Sequence, residues 1–225
     1  MRYTTLFLDL DNTLLDFSKA EAVAIEKVLK KHNLPSDEDT IKTYSNINLE
    51  FWKRYERGEI PREAIFEGRF KKLLEFLGEE RDSAAISKDY FGNLSEGYFT
   101  VDGAIEILKY LKQKGYYLCA TTNGISFTQK KRIKNSGLEP YFDKVFISED
   151  TLYKKPQREY FEFVINHIPE KNKRSILIIG DSQSSDILGG INSQIDTCWY
   201  NPDADKPEHK NNFEIKKLSE LKNIL

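Results

Sequence analysis

A chain of 225 residues can build one good-sized domain carrying a smaller insert, and 39% apolar residues with 14 Phe and 12 Tyr supply its core. The 34 basic and 36 acidic residues nearly cancel, leaving a formal charge of −2. That balance provides no general field for a nucleic acid polymer or an anionic membrane, so a small anion has to be captured by a local site.

The first element is an apolar run at 4–9 (TTLFLD), continued by Leu10, of the kind that suits a strand covered on both faces. From about 18 to 100 only helical patterns follow. Ser18 with Glu21 reads as a capping box opening a helix at 19–32, and a second helix at 37–57 stops at Gly58. Pro61 opens a third that ends near Gly78, and a fourth covers about 84–98. The aromatics Tyr44, Phe51, Trp52, Tyr55, Phe66 and Phe70 of this helical stretch recur at helical spacing and read mostly as bundle core.

Beyond 100 the pattern alternates. A helix at 104–114 ends at Gly115, and strand 116–121 (YYLCAT) follows. Next come a helix at 127–136, strand 144–147 (KVFI), a helix at 157–167 after Pro156, strand 175–179 (SILII) and the shorter strand 196–200 (DTCWY). A polar loop at 201–210 leads to a last strand at 213–215 and a short helix. Strands alternating with helices predict an α/β fold, a doubly wound parallel sheet of Rossmann-like type. Residues 1–16 and 100–225 form that core, and 17–99 form an inserted helical bundle. Cys119 and Cys198 both fall in strand-like stretches and read as core thiols. With no leader ahead of the first strand and no long apolar segment, the expected location is the cytoplasm.

The chemistry collects at strand ends. Strand one runs into Asp9, Asp11 and Thr13, and strand two into Thr121, Thr122, Asn123 and Gly124. Lys154, Lys155 and Pro156 follow the third, and GDSQSSD at 180–186 follows the fourth. In open α/β sheets ligands bind beyond the carboxyl ends of the strands, so these groups should meet at one edge. Clustered carboxylates repel one another unless a cation joins them, and hard oxygen donors suit Mg²⁺. Lysine, hydroxyl and amide donors facing that ion make a cradle for a phosphoryl group. Taken alone, an acidic pair reads as a solvated strand end and Asn-Gly as a plain turn. The basic run KKRIK at 130–134 reads as a solvated helix face, and the three histidines have no metal-ligand spacing. No phosphate-binding P-loop, dinucleotide fingerprint or nucleophile elbow is present, which argues against ATP-driven and serine-hydrolase chemistry.

DLDNT at 9–13, TTN at 121–123, the lysine of KKP at 155 and GDSQSSD at 180–186 resemble, in order, the four motifs of the haloacid dehalogenase superfamily of phosphotransferases. The helical insert resembles its C1-type cap. The resemblance implies that Asp9 is the nucleophile, forming an aspartyl-phosphate, and that Asp11 is the general acid and base. It implies Mg²⁺ on Asp9, the backbone carbonyl of Asp11 and Asp181, with Asp186 supporting. Thr122 and the amide of Asn123 would bind phosphate, and Lys155 would neutralise charge, with Lys154 exposed. Dehalogenases lack an acid two residues after the nucleophile, so Asp11 favours phosphoryl transfer. The stretches 121–150, 186–201 and 14–21 are similar to the subgroup of pyrimidine 5′-nucleotidases. That likeness implies hydrolysis of nucleoside 5′-monophosphates. Phe17, just past the first motif, is the aromatic expected to meet the base, and the expected assembly is a monomer or homodimer. The alternatives are a sugar-phosphate or phosphoglycolate phosphatase, a β-phosphoglucomutase-like mutase and, in a different class, a silent binding module.

Overall fold

The structure, a computed structural model, describes residues 2–225. The chain divides into two compact units: residues up to Asp16 with Phe99–Leu225, and Phe17–Tyr98.

The first unit is a six-stranded parallel sheet in the order β3-β2-β1-β4-β5-β6. The strands are β1 (Thr5–Leu8), β2 (Tyr117–Thr122), β3 (Lys144–Ile147), β4 (Ile176–Gly180), β5 (Asp196–Tyr200) and β6 (Phe213–Ile215). Side chains alternate between the two faces of each strand. Leu6, Leu8, Leu118, Ala120, Leu177 and Ile179 therefore point to one side, where they meet Ile107, Leu108 and Leu111 of α5 (Ala104–Gln113). Phe7, Cys119, Ile176 and Ile178 point to the other and meet Tyr160, Phe161 and Val164 of α7 (Arg158–Asn166). A sheet covered on both faces explains why β1 and β4 read as continuous apolar runs. Both cysteines are fully buried, and burial pushes each thiol up to about 12.

Register aligns the functional loops. Leu8 lies level with Ala120 on one side and Ile179 on the other. Asp9, one residue further along, therefore leaves the sheet beside Thr121 and Gly180, and its N–H donates to the Ile179 carbonyl at 2.9 Å.

The second unit holds α1 (Phe17–Lys31), α2 (Glu38–Glu56), α3 (Glu63–Leu77) and α4 (Ser83–Leu94). Asp37 and Asp82 cap α2 and α4 with their carboxylates, and Gly78, at φ 66°, ends α3. The helix start expected at 19 lies two residues earlier. Ser18 thus sits inside the first turn, and Glu21 is buried and accepts from Asn48 Nδ2 at 2.6 Å. Of the six expected bundle aromatics, Tyr44, Tyr55 and Phe70 are buried, and Phe51, Trp52 and Phe66 are half-buried. Among the described residues no helix is long and apolar enough to cross a membrane.

Candidate active site

Three carboxylates gather where β1 and β4 end. Asp9, Asp181 and Asp186 each offer an oxygen, and these oxygens all lie within 4.8 Å of one another. Into this group reaches Lys155, 1% exposed, whose Nζ donates to Asp9 Oδ1 at 2.5 Å, Asp186 Oδ1 at 2.7 Å and the Thr121 carbonyl at 2.9 Å. All three ammonium protons are thereby used.

Each of these groups is fixed from behind. The Asn123 amide brackets the Lys155 backbone, Nδ2 donating to its carbonyl and Oδ1 accepting from its N–H, both at 2.9 Å. Thr13 Oγ1 donates to Asp181 Oδ1 at 3.0 Å, and the Trp199 indole donates to the Asp181 carbonyl at 2.8 Å. Asp186 rides on a π-helical turn, Gln183–Ile187, that continues into α8 (Leu188–Ser193). Its Oδ2 accepts from the Ser182 N–H at 3.3 Å. Gly180 makes that approach possible: a Cβ there would stand 2.2 Å from Asp186 Oδ2.

Three carboxylates around one ammonium carry two surplus negative charges if all are ionised. Burial, with repulsion from Asp186, Asp181 and Asp11, holds Asp9 well above the usual carboxylate range despite the opposing pull of Lys155. Burial and Asp186 push Asp181 up to about 7. Burial works to lower the Lys155 ammonium, but Asp186 and Asp9 outweigh it and raise it, so Lys155 stays protonated. A divalent cation matches this oxygen-rich donor set and its surplus charge.

Asp11 points elsewhere. Its Oδ2 accepts from Gln129 Nε2 at 2.8 Å and its Oδ1 accepts from Arg132 Nη1. Both donors come from α6 (Ser126–Asn135), and both are buried. The expectation that 130–134 is a solvated face fails at its centre. Lys130 and Lys134 are exposed, but Arg132 and Ile133 face inward. The signal was the helical period, which sets Gln129, Arg132 and Ile133 on one face at i, i+3 and i+4.

Thr122 Oγ1 accepts from the Gly124 N–H at 3.0 Å and from Gln129 Nε2 at 2.9 Å. With both acceptor positions taken, the hydroxyl proton is what it can offer an incoming oxygen. Lys154, expected to be exposed, is half-buried, and its backbone N–H donates to Gln157 Oε1. Phe17 begins the helical unit, as the first residue of α1. Sequence reasoning did not anticipate Gln129, Arg132, Trp199 or the side-chain role of Asn123.

The family model for haloacid dehalogenase-like hydrolases matches residues 6–200. The chain is a haloacid dehalogenase-like hydrolase. Among relatives, it is 42% identical to the HAD-hydrolase YfnB of Bacillus subtilis strain 168, over 100% of this chain and 96% of YfnB. Pyrimidine 5′-nucleotidase PynA of Streptococcus pneumoniae is 39% identical, over 90% of this chain and 85% of PynA. Pyrimidine 5′-nucleotidase YjjG of Escherichia coli K12 is 27% identical, over 100% and 99%. A crystal structure of YfnB bound to magnesium superposes with a TM-score of 0.94, covering 100% of this chain and 99% of that one. With such relatives, this haloacid dehalogenase-like hydrolase is a phosphatase of its family.

Proposed function

We propose that the protein is a Mg²⁺-dependent 5′-nucleotidase that removes phosphate from pyrimidine nucleoside monophosphates through an aspartyl-phosphate on Asp9. The observation carrying the chemistry is the buried Asp9–Lys155–Asp186 cluster. It presents a carboxylate nucleophile beside a fixed cation, with a hydroxyl donor on the neighbouring strand. Support for the substrate comes from the likeness to PynA and YjjG over nearly the whole chain.

Asp9 attacks phosphorus while Thr122 and the Asn123 N–H hold phosphoryl oxygens, and Lys155 offsets the charge gathering between nucleophile and phosphate. Asp11 gives a proton to the departing nucleoside oxygen, then takes one from the water that hydrolyses the aspartyl-phosphate. Asp9, Asp181 and the Asp11 carbonyl would hold Mg²⁺, with Asp186 supporting them, and the ion's charge would polarise the phosphoryl group. Phe17, at the start of the helical unit, is assigned to the base.

The test is phosphate release across nucleoside 5′-monophosphates and sugar phosphates, with Mg²⁺ or EDTA, for the wild type, Asp9→Asn and Phe17→Ala. Expected are a preference for UMP, dUMP or dTMP, loss of turnover in EDTA and in Asp9→Asn, and a raised KM for nucleotides alone in Phe17→Ala. Activity confined to sugar phosphates would discard the substrate and keep the mechanism. Turnover by Asp9→Asn would discard the mechanism.

A further inference from the structure

A fully buried arginine in a lysine-rich surface helix calls for a reason, because hiding a guanidinium costs more than a surface ion pair returns. Arg132 is 0% exposed, while the side chain of its carboxylate partner, Asp11, is 28% exposed. The pair spans 121 residues of sequence, its arginine end sealed and its carboxylate end partly exposed.

The geometry is a closed ring. Arg132 Nη1 donates to Asp11 Oδ1 and, at 3.0 Å, to Gln129 Oε1. Gln129 Nε2 completes the circuit by donating to Asp11 Oδ2 at 2.8 Å. Each carboxylate oxygen of Asp11 therefore has its own donor, and the two donors fix each other. A second bond from Gln129 Nε2 to Thr122 Oγ1, at 2.9 Å, ties the ring to the strand end assigned to phosphate. Gly124 leaves the space: a Cβ there would stand 2.7 Å from Gln129 Cγ, Cδ and Nε2.

Resting on the assignment of Asp11 as the proton-transfer group, we propose that Arg132 and Gln129 are positioning residues that orient the Asp11 carboxyl toward the leaving-group oxygen. In the first half-reaction the bond from phosphorus to the leaving oxygen breaks as Asp9 bonds to phosphorus, and the Asp11 proton goes to that oxygen. In the second, water bonds to phosphorus, the bond to Asp9 breaks, and the water proton returns to Asp11. The ring fixes where the carboxyl stands at each transfer, and through Thr122 it couples that position to the seat of the phosphoryl group. A buried ion pair by itself is weak evidence for stability. A pair that leads into a proton-transfer group and a phosphate-binding hydroxyl has a use at the site.

The distinguishing readout is leaving-group dependence. An alkyl phosphate such as uridine 5′-monophosphate needs its leaving oxygen protonated, whereas p-nitrophenyl phosphate departs as a stable anion. kcat/KM reports the steps through leaving-group departure. For Arg132→Met, kcat/KM on the nucleotide should fall about 10- to 100-fold, within the range of general acid catalysis. The fall on p-nitrophenyl phosphate should be several-fold smaller, with KM for the nucleotide little changed. Arg132→Lys should recover part of the loss, and Gln129→Leu should show the same discrimination more weakly. It is the variant to rely on if Arg132→Met fails to fold. If sugar phosphates prove the better substrates, the best of them replaces the nucleotide.

Asp11→Asn separates the two levels. If it discriminates steeply between the substrates while Arg132→Met and Gln129→Leu lose both activities equally, the positioning role is wrong and the role of Asp11 stands. If Asp11→Asn shows no discrimination, Asp11 is not the proton donor and the positioning role falls with it.

Discussion

Replacing Lys155 by methionine removes the ammonium held among three carboxylates, Asp9 and Asp186 buried and Asp181 half-buried, while keeping most of the side-chain volume. The substitution breaks the ion pairs to Asp9 at 2.5 Å and to Asp186 at 2.7 Å. At an effective dielectric of about 20 each is worth about 6 kcal/mol of gross attraction. Dehydrating the lysine cancels several kcal/mol of that sum, and breaking a buried pair from one side costs about 3–5 kcal/mol net. Protonation limits the damage. A carboxyl whose folded-state pKa is raised contributes stability below its unfolded pKa and loses it as pH rises through the folded one. The penalty should therefore be larger at pH 8 than at pH 5. Urea unfolding in EDTA, followed by Trp199 fluorescence in a Trp52→Phe background, reads the core unit. Mg²⁺ at pH 8 should narrow the gap, because a cation on the same carboxylates stabilises the folded state by mass action. A penalty under about 1 kcal/mol at pH 8, or one equal at both pH values, would refute the picture of ionised carboxylates held by one lysine.

Two further outcomes follow from the same cluster. Gly180→Ala would drive a Cβ to 2.2 Å from Asp186 Oδ2, so the carboxylate must move. Magnesium affinity by titration calorimetry should drop about 10-fold or more, and unchanged affinity would mean that Asp186 takes no part in holding the ion. Asp181, pushed up to about 7 by burial and Asp186, should make the metal-free protein lose stability as pH rises through neutrality. Thermal melts in EDTA from pH 5 to 9 should show that slope in the wild type and a flatter one in Asp181→Asn, and identical slopes would sink the assignment.

The sheet was legible because burial on both faces leaves a plain mark, namely unbroken apolar runs such as those at Leu6–Phe7–Leu8 and Ile176–Leu177–Ile178–Ile179. The carboxylate cluster was legible for a related reason. A parallel sheet fixes which ends lie side by side, so Asp9 and Asp181 had to meet once β1 and β4 were neighbours. Asn123 was read for its backbone amide, but the role of its side chain escaped because it acts across 32 residues on a backbone that no local pattern announces. Trp199 read as one more apolar strand residue, since its single polar atom finds Asp181 only through the β4–β5 register. Arg132 was hidden by composition: three lysines in the same short run made the whole face look wet. Helix starts moved by a residue or two, as at Phe17, because end positions depend on contacts that propensity does not report.

The place where the chain leaves and re-enters the core has an evolutionary consequence. Asp16 N–H donates to the Phe99 carbonyl at 2.9 Å and Val101 N–H to the Leu14 carbonyl at 3.0 Å, so the outgoing and returning chains are stitched side by side within the core. Leu15 and Thr100 form the antiparallel bridge between them. To the sheet, everything from Phe17 to Tyr98 is the content of a hairpin loop already closed at its base. Such a loop can be lengthened, shortened or traded at little cost to the sheet, since closure entropy grows only slowly with length. Selection could thus rewrite this segment repeatedly while the phosphoryl chemistry of the core was inherited intact.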